Sequence, residues 1–264
     1  MRGACLTSLA LLIVSTPQLT VTQQAASSNA QATQLLQQSL AALQENTSIS
    51  DVTLSGSARR VAGSDDESGS AVFKALASGA GRMDLTLPSG QRSEVHNLTA
   101  TEPVGAWSGP DRISHAIANH NLLAEPVWFF PAFAIARRLS STGYVEMYVG
   151  HETHNGQAVE HISVSQTPPP RIPSGLFPFQ HLTQVEFFLD STTLLPSSIA
   201  FTIHPDNNAL LDIPIEVRFS DYRPVGGTQV PFHVQKYLNN SLILDFQATS
   251  VTFDSGLTAG SFSL

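Results

Sequence analysis

The stretch Ile215-Glu216-Val217-Arg218-Phe219-Ser220, followed by Pro224-Val225-Gly226-Gly227 and then by Val230-Pro231-Phe232-His233-Val234, decides the fold. Apolar Ile215, Val217 and Phe219 alternate with Glu216, Arg218 and Ser220, and Val230, Phe232 and Val234 resume the alternation after the turn residues. A period of two sends successive side chains to opposite faces, so each run reads as a strand with one apolar and one polar face. Pro and Gly between the runs turn the chain back on itself.

The same period extends in both directions. Downstream, Asn239-Asn240 leads to Leu242, Leu244, Phe246 and Ala248, and the chain closes on Val251, Phe253 and Phe262. Upstream lie Val185, Phe187 and Leu189, then 198–203, and before them Val145, Met147 and Val149 with a return strand over 158–165. Asn155-Gly156 between that last pair is a strong hairpin signal. Val52 and Leu54, residues 70–77, then Met83, Leu85 and Leu87, and residues 91–99 form an N-terminal meander. These runs make about eleven antiparallel strands. The apolar positions of 114–139 instead have helix-compatible spacing broken by Pro126 and Pro131, which predicts two short helices. Leu35, Leu36, Leu40 and Leu43 predict one leading amphipathic helix over 29–45. Residues 166–181, with five prolines, read as a long loop. So many strands with one apolar face must curl or be covered, and the broken helices are the natural cover.

The chain has 264 residues, 42% hydrophobic and only 13% charged, which supports a real core. Its formal charge of -8 lacks the basic footprint that nucleic acid demands, so nucleic acid is excluded as a partner. Arg2 and the short apolar run from Leu9 to Val14 read as a secretory signal with cleavage near Ala25 or Ala26. The division is then 1–26 as signal peptide and 27–264 as a single domain. The only cysteine, Cys5, precedes the apolar run and is no lipidation site. No later stretch reaches the length of a membrane-spanning helix.

Nucleophile elbows, zinc-protease helices, phosphate-binding loops and paired-cysteine motifs do not occur, so no catalytic residue, metal ligand or cofactor is expected. His151 and His154 are three apart, which in a strand points them to opposite faces. His115 and His120, five apart, have poor helical spacing for a shared ion, and Asp65-Asp66-Glu67 reads as a solvated turn. The aromatic cluster Trp128, Phe129, Phe130 and Phe133 has two readings: a helix packed permanently on the core, or a lid over an apolar cavity.

Phe187-Phe188-Leu189-Asp190, Thr193-Leu194-Leu195-Pro196, the run Val217 to Gly227 and Val230-Pro231-Phe232, together with the leading helix and the early meander, resemble the outer-membrane lipoprotein carrier (LolA-like) superfamily. The resemblance implies a mainly β (α+β) fold: an open antiparallel half-barrel of about eleven strands with helices covering the concave side. It implies a periplasmic, non-enzymatic protein from a diderm bacterium, binding a hydrophobic small molecule or the acyl chains of a lipoprotein, with envelope proteins as further partners. The chain departs from the carriers in its length and its proline-rich loop, and no chaperone-specific arginine is assigned. With inward positions taken from the alternation, the expected cavity residues are Leu54, Met83, Leu85, Phe187, Phe201, Phe219 and Phe232, with Trp128, Phe129 and Phe133 as lid. The alternative is a periplasmic interaction or sensing module with a filled core and no lipid cargo.

Overall fold

In a computed structural model the described residues are 19–45, 48–98, 104–168 and 178–264, with side chains described from residue 29 onward. The signal-like run from Leu9 to Val14 and the centre of the proline-rich loop, 169–177, lie outside them. Helix α1 covers Leu19–Leu43. A meander follows: β1 (Asp51–Ala62), β2 (Asp65–Leu76), β3 (Ala80–Leu87), β4 (Gly90–Asn97), β5 (Val104–Ser108) and β6 (Ser114–Ala116). A 3-10 turn at Asn121–Leu123 and helix α2 (Pro131–Ser140) form the insert. The chain then runs through β7 (Tyr144–His154), β8 (Gln157–Gln166), the short helix α3 (Phe179–Leu182), β9 (Val185–Asp190) and β10 (Pro196–Ile203). It ends with β11 (Ile213–Val225), β12 (Thr228–Leu238), β13 (Ser241–Phe253) and a 3-10 turn at Ala259–Phe262.

All thirteen strands belong to one antiparallel sheet, in the order β6-β5-β4-β3-β2-β1-β13-β12-β11-β10-β9-β8-β7, which does not close on itself. The eleven strands expected from the alternation are present. The two additions, β5 and β6, are short and largely exposed, and a strand of three to five residues leaves too few alternations to read. Residues 114–116, expected in a helix, are therefore strand. The Asn155-Gly156 hairpin forms as expected, with φ of 51° and 79° at its two central residues, the left-handed values that a tight hairpin requires.

The sheet's apolar face is concave and is packed over much of its extent by the helices and the insert. Across the N-terminal half one row of partners runs Leu54, Phe73, Met83, Glu94, Trp107, His115 from β1 to β6. Ala32, Leu36 and Leu43 of α1 and Phe133 and Ile135 of α2 are buried in the same core as Val52, Phe187 and Phe246. Helix α1 packs on β7 and α2. Its Thr33 hydroxyl donates to Glu146 of β7 at 2.6 Å, and Glu45 just beyond it donates its N–H to the Gly227 carbonyl at 3.0 Å.

The C-terminal tail crosses the other face. Asp51 accepts backbone N–H groups from Ser255, Gly256 and Leu257, and these bonds hold its carboxyl below the usual range although burial opposes them. The turn at Ala259–Phe262 then lies over β3 and β4, where Arg82 donates to the Ser263 carbonyl at 2.7 Å.

Candidate ligand-binding cavity

The concave face is not filled everywhere. Where β1, β3, β4, β12 and β13 curve towards one another, a partly open cavity of about 710 Å³ lies against Met83, Leu85, Leu238, Leu242 and Leu244. Arg60, Glu94 and Lys236 also line it. A chamber of about 180 Å³ adjoins it through Arg60, Met83, Leu85 and Glu94 and adds Arg92 and Trp107. A third chamber of about 200 Å³ shares Glu94 and Lys236 and runs under the insert to Ala124, Trp128, Phe201 and Ile203. The three spaces adjoin through shared wall residues, a trough-like series with an aliphatic floor and charged flanks.

The charges face inward because of register. Arg92 lies opposite Leu85, Glu94 opposite Met83 and His96 opposite Gly81, so the polar set of β4 shares a face with the apolar set of β3. The complementary residues Ser93 and Val95 are buried on the other face, which the C-terminal turn covers. On β12, Lys236 continues the inward series Val230, Phe232, Val234, and on β1 Arg60 continues Leu54 and Ala58 past a bulge at Ser55/Gly56. A charged residue in an apolar series was the one signal in the sequence that pointed to these positions.

The electrostatics are uneven. Burial would raise the Glu94 carboxyl, but the His96 ring nitrogen at 3.1 Å and the Lys236 charge overcome it and hold the pKa at about 2. Burial pulls the Lys236 ammonium down and Glu94 partly restores it. Burial and the neighbouring Arg92 charge pull Arg60 down, against Asp65 and Glu67. One Arg60 Nη and the Arg92 Nε are buried without a hydrogen-bond partner. Two guanidinium groups with unused N–H donors beside an aliphatic floor suit an oxyanion attached to an apolar body.

The insert 121–140 covers the chamber of about 200 Å³, while no residue of the insert lines the larger cavity beside it. The Pro126 carbonyl lies directly on Gly81, where an added Cβ would come within 2.1 Å of the oxygen, and Leu122 occupies the corresponding space over Gly105. Phe129 packs on Phe73 at 5.1 Å between ring centres, and Phe73 stacks on Phe246 at 4.2 Å. Glu125, with no side-chain exposure, takes Arg137 at 2.9 Å and Arg138 at 2.5 Å and accepts the Val127 N–H at 3.1 Å. Burial opposes its ionisation, but the two arginines keep its pKa at about 2. Arg138 also lies 5.0 Å from the Phe187 ring centre, which ties the insert to β9.

The expected cavity residues divide into three groups. Met83 and Leu85 line the large cavity, and Trp128 and Phe201 line the chamber under the insert. Leu54, Phe129, Phe133 and Phe187 are packed in the core with 2% exposure or less and line none of these spaces. Phe219 borders a separate recess of about 260 Å³ with Asp190 and Tyr222, and Phe232 is buried beneath Arg223, whose guanidinium lies 4.5 Å from its ring centre. The histidines singled out in the sequence have separate partners: His151 pairs with Glu160, His154 with Glu216, His115 stacks on Trp107, and His120 bonds the Pro205 carbonyl. Arg60, Arg92, Glu94, His96 and Lys236 are the site residues that the alternation alone did not select.

An uninterrupted antiparallel sheet curved around an apolar hollow and roofed by helices is the LolA-like lipoprotein carrier fold, and this chain has it. The solved structures it is similar to include a putative outer membrane lipoprotein-sorting protein domain from Vibrio parahaemolyticus, at TM-score 0.54 and 11% identity over 89% of this chain and 97% of that one. A LolA superfamily protein from Nitrosomonas europaea matches at TM-score 0.54 and 10% identity, over 88% and 97% of the two chains. A DUF1329 family protein from Desulfovibrio piger matches at TM-score 0.53 and 9% identity, over 89% and 97%. No family model and no curated protein matches the sequence. Among the described residues no helix is long and apolar enough to cross a membrane.

Proposed function

We propose that the protein is a non-catalytic periplasmic carrier for an amphiphile with one or more acyl chains and an acidic head group, such as a fatty acid, an anionic lipid or the lipid moiety of a lipoprotein. The observation that carries this reading is the cavity of about 710 Å³, aliphatic on its floor and flanked by Arg60 and Lys236. Its volume falls within the range of roughly 300–1,000 Å³ typical of ligand pockets. At about 0.8 kcal/mol per buried methylene, ten methylenes contribute on the order of 8 kcal/mol, a gross driving force of the size needed to offset the cost of association. Arg60 and Arg92 then receive the acidic head. A filled interior would have favoured the interaction-module alternative, and the open trough supports the carrier. The secretory signal read in the sequence supports export to the periplasm.

The test is displacement of a fluorescent fatty acid from the purified protein by hexadecanoic acid and by hexadecanol. The acid should compete better than the alcohol, and Arg60→Gln/Arg92→Gln should abolish that preference while binding of the chain persists. Failure of either compound to bind, together with a solvent extract free of lipid, overturns the carrier reading.

A further inference from the structure

We propose that His181, His204 and Asp212 form a binding site for a divalent transition-metal ion at the rim of the half-barrel, separate from the ligand cavity. His181 belongs to α3, His204 follows the last residue of β10, and Asp212 precedes the first residue of β11. These positions are 31 and 8 residues from Asp212, so only the fold brings them together. His181 Nε2 lies 2.7 Å and His204 Nε2 lies 3.1 Å from the same Asp212 Oδ1. One donor atom from each residue lies within 4.8 Å of the other two.

Two imidazole nitrogens and one carboxylate oxygen are a donor set for zinc and its first-row neighbours. Magnesium and calcium prefer sites built from oxygen alone. Metal–nitrogen bonds of about 2.0–2.1 Å in tetrahedral geometry place neighbouring donors about 3.3 Å apart. The nitrogen–oxygen separations of 2.7 and 3.1 Å need to grow by about 0.6 and 0.2 Å, and the two ring nitrogens, which lie within 4.8 Å, to settle at the same spacing, for an ion to take the place of the hydrogen bonds. His181 and Asp212 are about half exposed while the His204 side chain is buried, so an ion reaches the site from solvent and keeps an outward position for water.

The buried ligand is also held in place. Asn121 donates its side-chain N–H to the His204 carbonyl at 2.8 Å and accepts the His204 backbone N–H at 2.8 Å. Beside it, His120 bonds the Pro205 carbonyl at 3.1 Å, and its ring meets the His204 ring edge-on with centres 5.9 Å apart. The ion therefore joins α3 to the β10–β11 connection at the point where the insert begins. Asn121, Phe201, Ile203 and Asp206 line the chamber next to it, so an occupied site stiffens one end of the roof.

The experiment uses the full chain without a polyhistidine tag, freed of metal by chelation. Cobalt chloride is titrated with visible absorption as the readout, and zinc chloride is then added in competition. One equivalent of cobalt should bind with the absorption of a four-coordinate site and be displaced by zinc, and zinc should raise the thermal midpoint where magnesium and calcium do not. Loss of an outer-shell partner costs about 10–100-fold in metal affinity, so Asp212→Asn and His181→Gln, which change exposed side chains and remove a ligand, should each cost at least that while metal-free unfolding stays as in the parent. His151→Gln and His233→Gln should leave binding unchanged. Absence of saturable one-equivalent binding, or binding that survives Asp212→Asn, overturns the proposal. A failure here leaves the carrier reading intact, since none of the three residues lines the large cavity.

Discussion

The ammonium nitrogen of Lys236 lies 4.3 Å from the centre of the Trp128 ring. One residue belongs to the curved wall and the other to the insert, so the contact bridges the chamber of about 200 Å³ that both of them line. Such a contact contributes about 0.5–2 kcal/mol. Because Lys236 also faces Glu94, its charge is compensated on the wall and shared with the indole on the roof. An incoming acidic head group competes with both.

Tryptophan emission should therefore report occupancy directly. The chain has two tryptophans, Trp107 and Trp128, and both line the chamber that Lys236 flanks. Titration with hexadecanoic acid should change the emission intensity of the parent protein. Trp107→Phe and Trp128→Phe should each lose part of that response, Trp107 because it lines the chamber of Arg60 and Arg92 that receives the head group, and Trp128 because it lies against Lys236 on the adjoining wall. A spectrum indifferent to ligand in all three proteins, while a labelled fatty acid still binds, would place the ligand elsewhere on the molecule.

Filling the hollow should separate binding from folding. Met83 is only partly buried and its side chain borders two of the connected spaces. Met83→Trp adds volume where no protein atom stands, so the overpacking cost of about 1–3 kcal/mol typical of closed cores should not arise. Fatty-acid affinity should fall at least tenfold with the urea midpoint nearly unchanged. Equal losses of affinity and stability would mean that Met83 sits in closed core instead.

The buried ion triad makes the roof sensitive to acid. The folded-state pKa of Glu125 is depressed from 4.5 to about 2, so its contribution to stability is present above pH 4.5 and is lost as the pH falls towards 2. Glu94 adds a contribution of the same sign in the same window. Glu125→Gln leaves Arg138 buried without its counter-charge and should cost about 3–5 kcal/mol at neutral pH. The variant's stability should also fall less steeply between pH 4.5 and 2 than that of the parent. Chemical denaturation across that range checks both statements, and parallel curves for the two proteins would mean that Glu125 is not the group responsible.

Particular residues show how much of this was legible in the sequence. The eleven long strands and the roofing insert were readable because Val217, Phe219, Val230 and Phe232 alternate cleanly and Pro126 and Pro131 interrupt a helical pattern. The site was less so. On β4, alternation with its apolar residue turned inward would put Val95 in the hollow and Glu94 outside, yet the C-terminal turn, about 160 residues further along the chain, covers the outer face there and reverses the arrangement. A local period cannot register a cover supplied by a distant segment. The aromatic residues were legible as inward-facing and were read as cavity wall and lid, but whether each meets another side chain or a void depends on packing across the sheet. Phe187 meets Arg138 and is closed off, whereas Phe201 borders the chamber.

Gly81 is the position at which the insert can be lifted without changing a residue that lines the cavity or its adjoining chambers. The Pro126 carbonyl would stand 2.1 Å from a Cβ placed there, and the contact is backbone on both sides, so no side-chain rotation relieves it. Carbon–oxygen contacts settle at about 3.3–3.6 Å, so Gly81→Ala must raise the 124–128 segment by more than an ångström. That movement strains both the Glu125 pair with Arg138 and the contact of Trp128 with Lys236, since both belong to the raised segment. The expected outcome is a stability loss of about 1–3 kcal/mol, faster amide exchange over 124–130, and faster entry and exit of a fluorescent fatty acid in stopped-flow measurements. If the roof is only core, Gly81→Ala should destabilise the protein without changing either ligand rate, and the two rates therefore distinguish a movable cover from a fixed one.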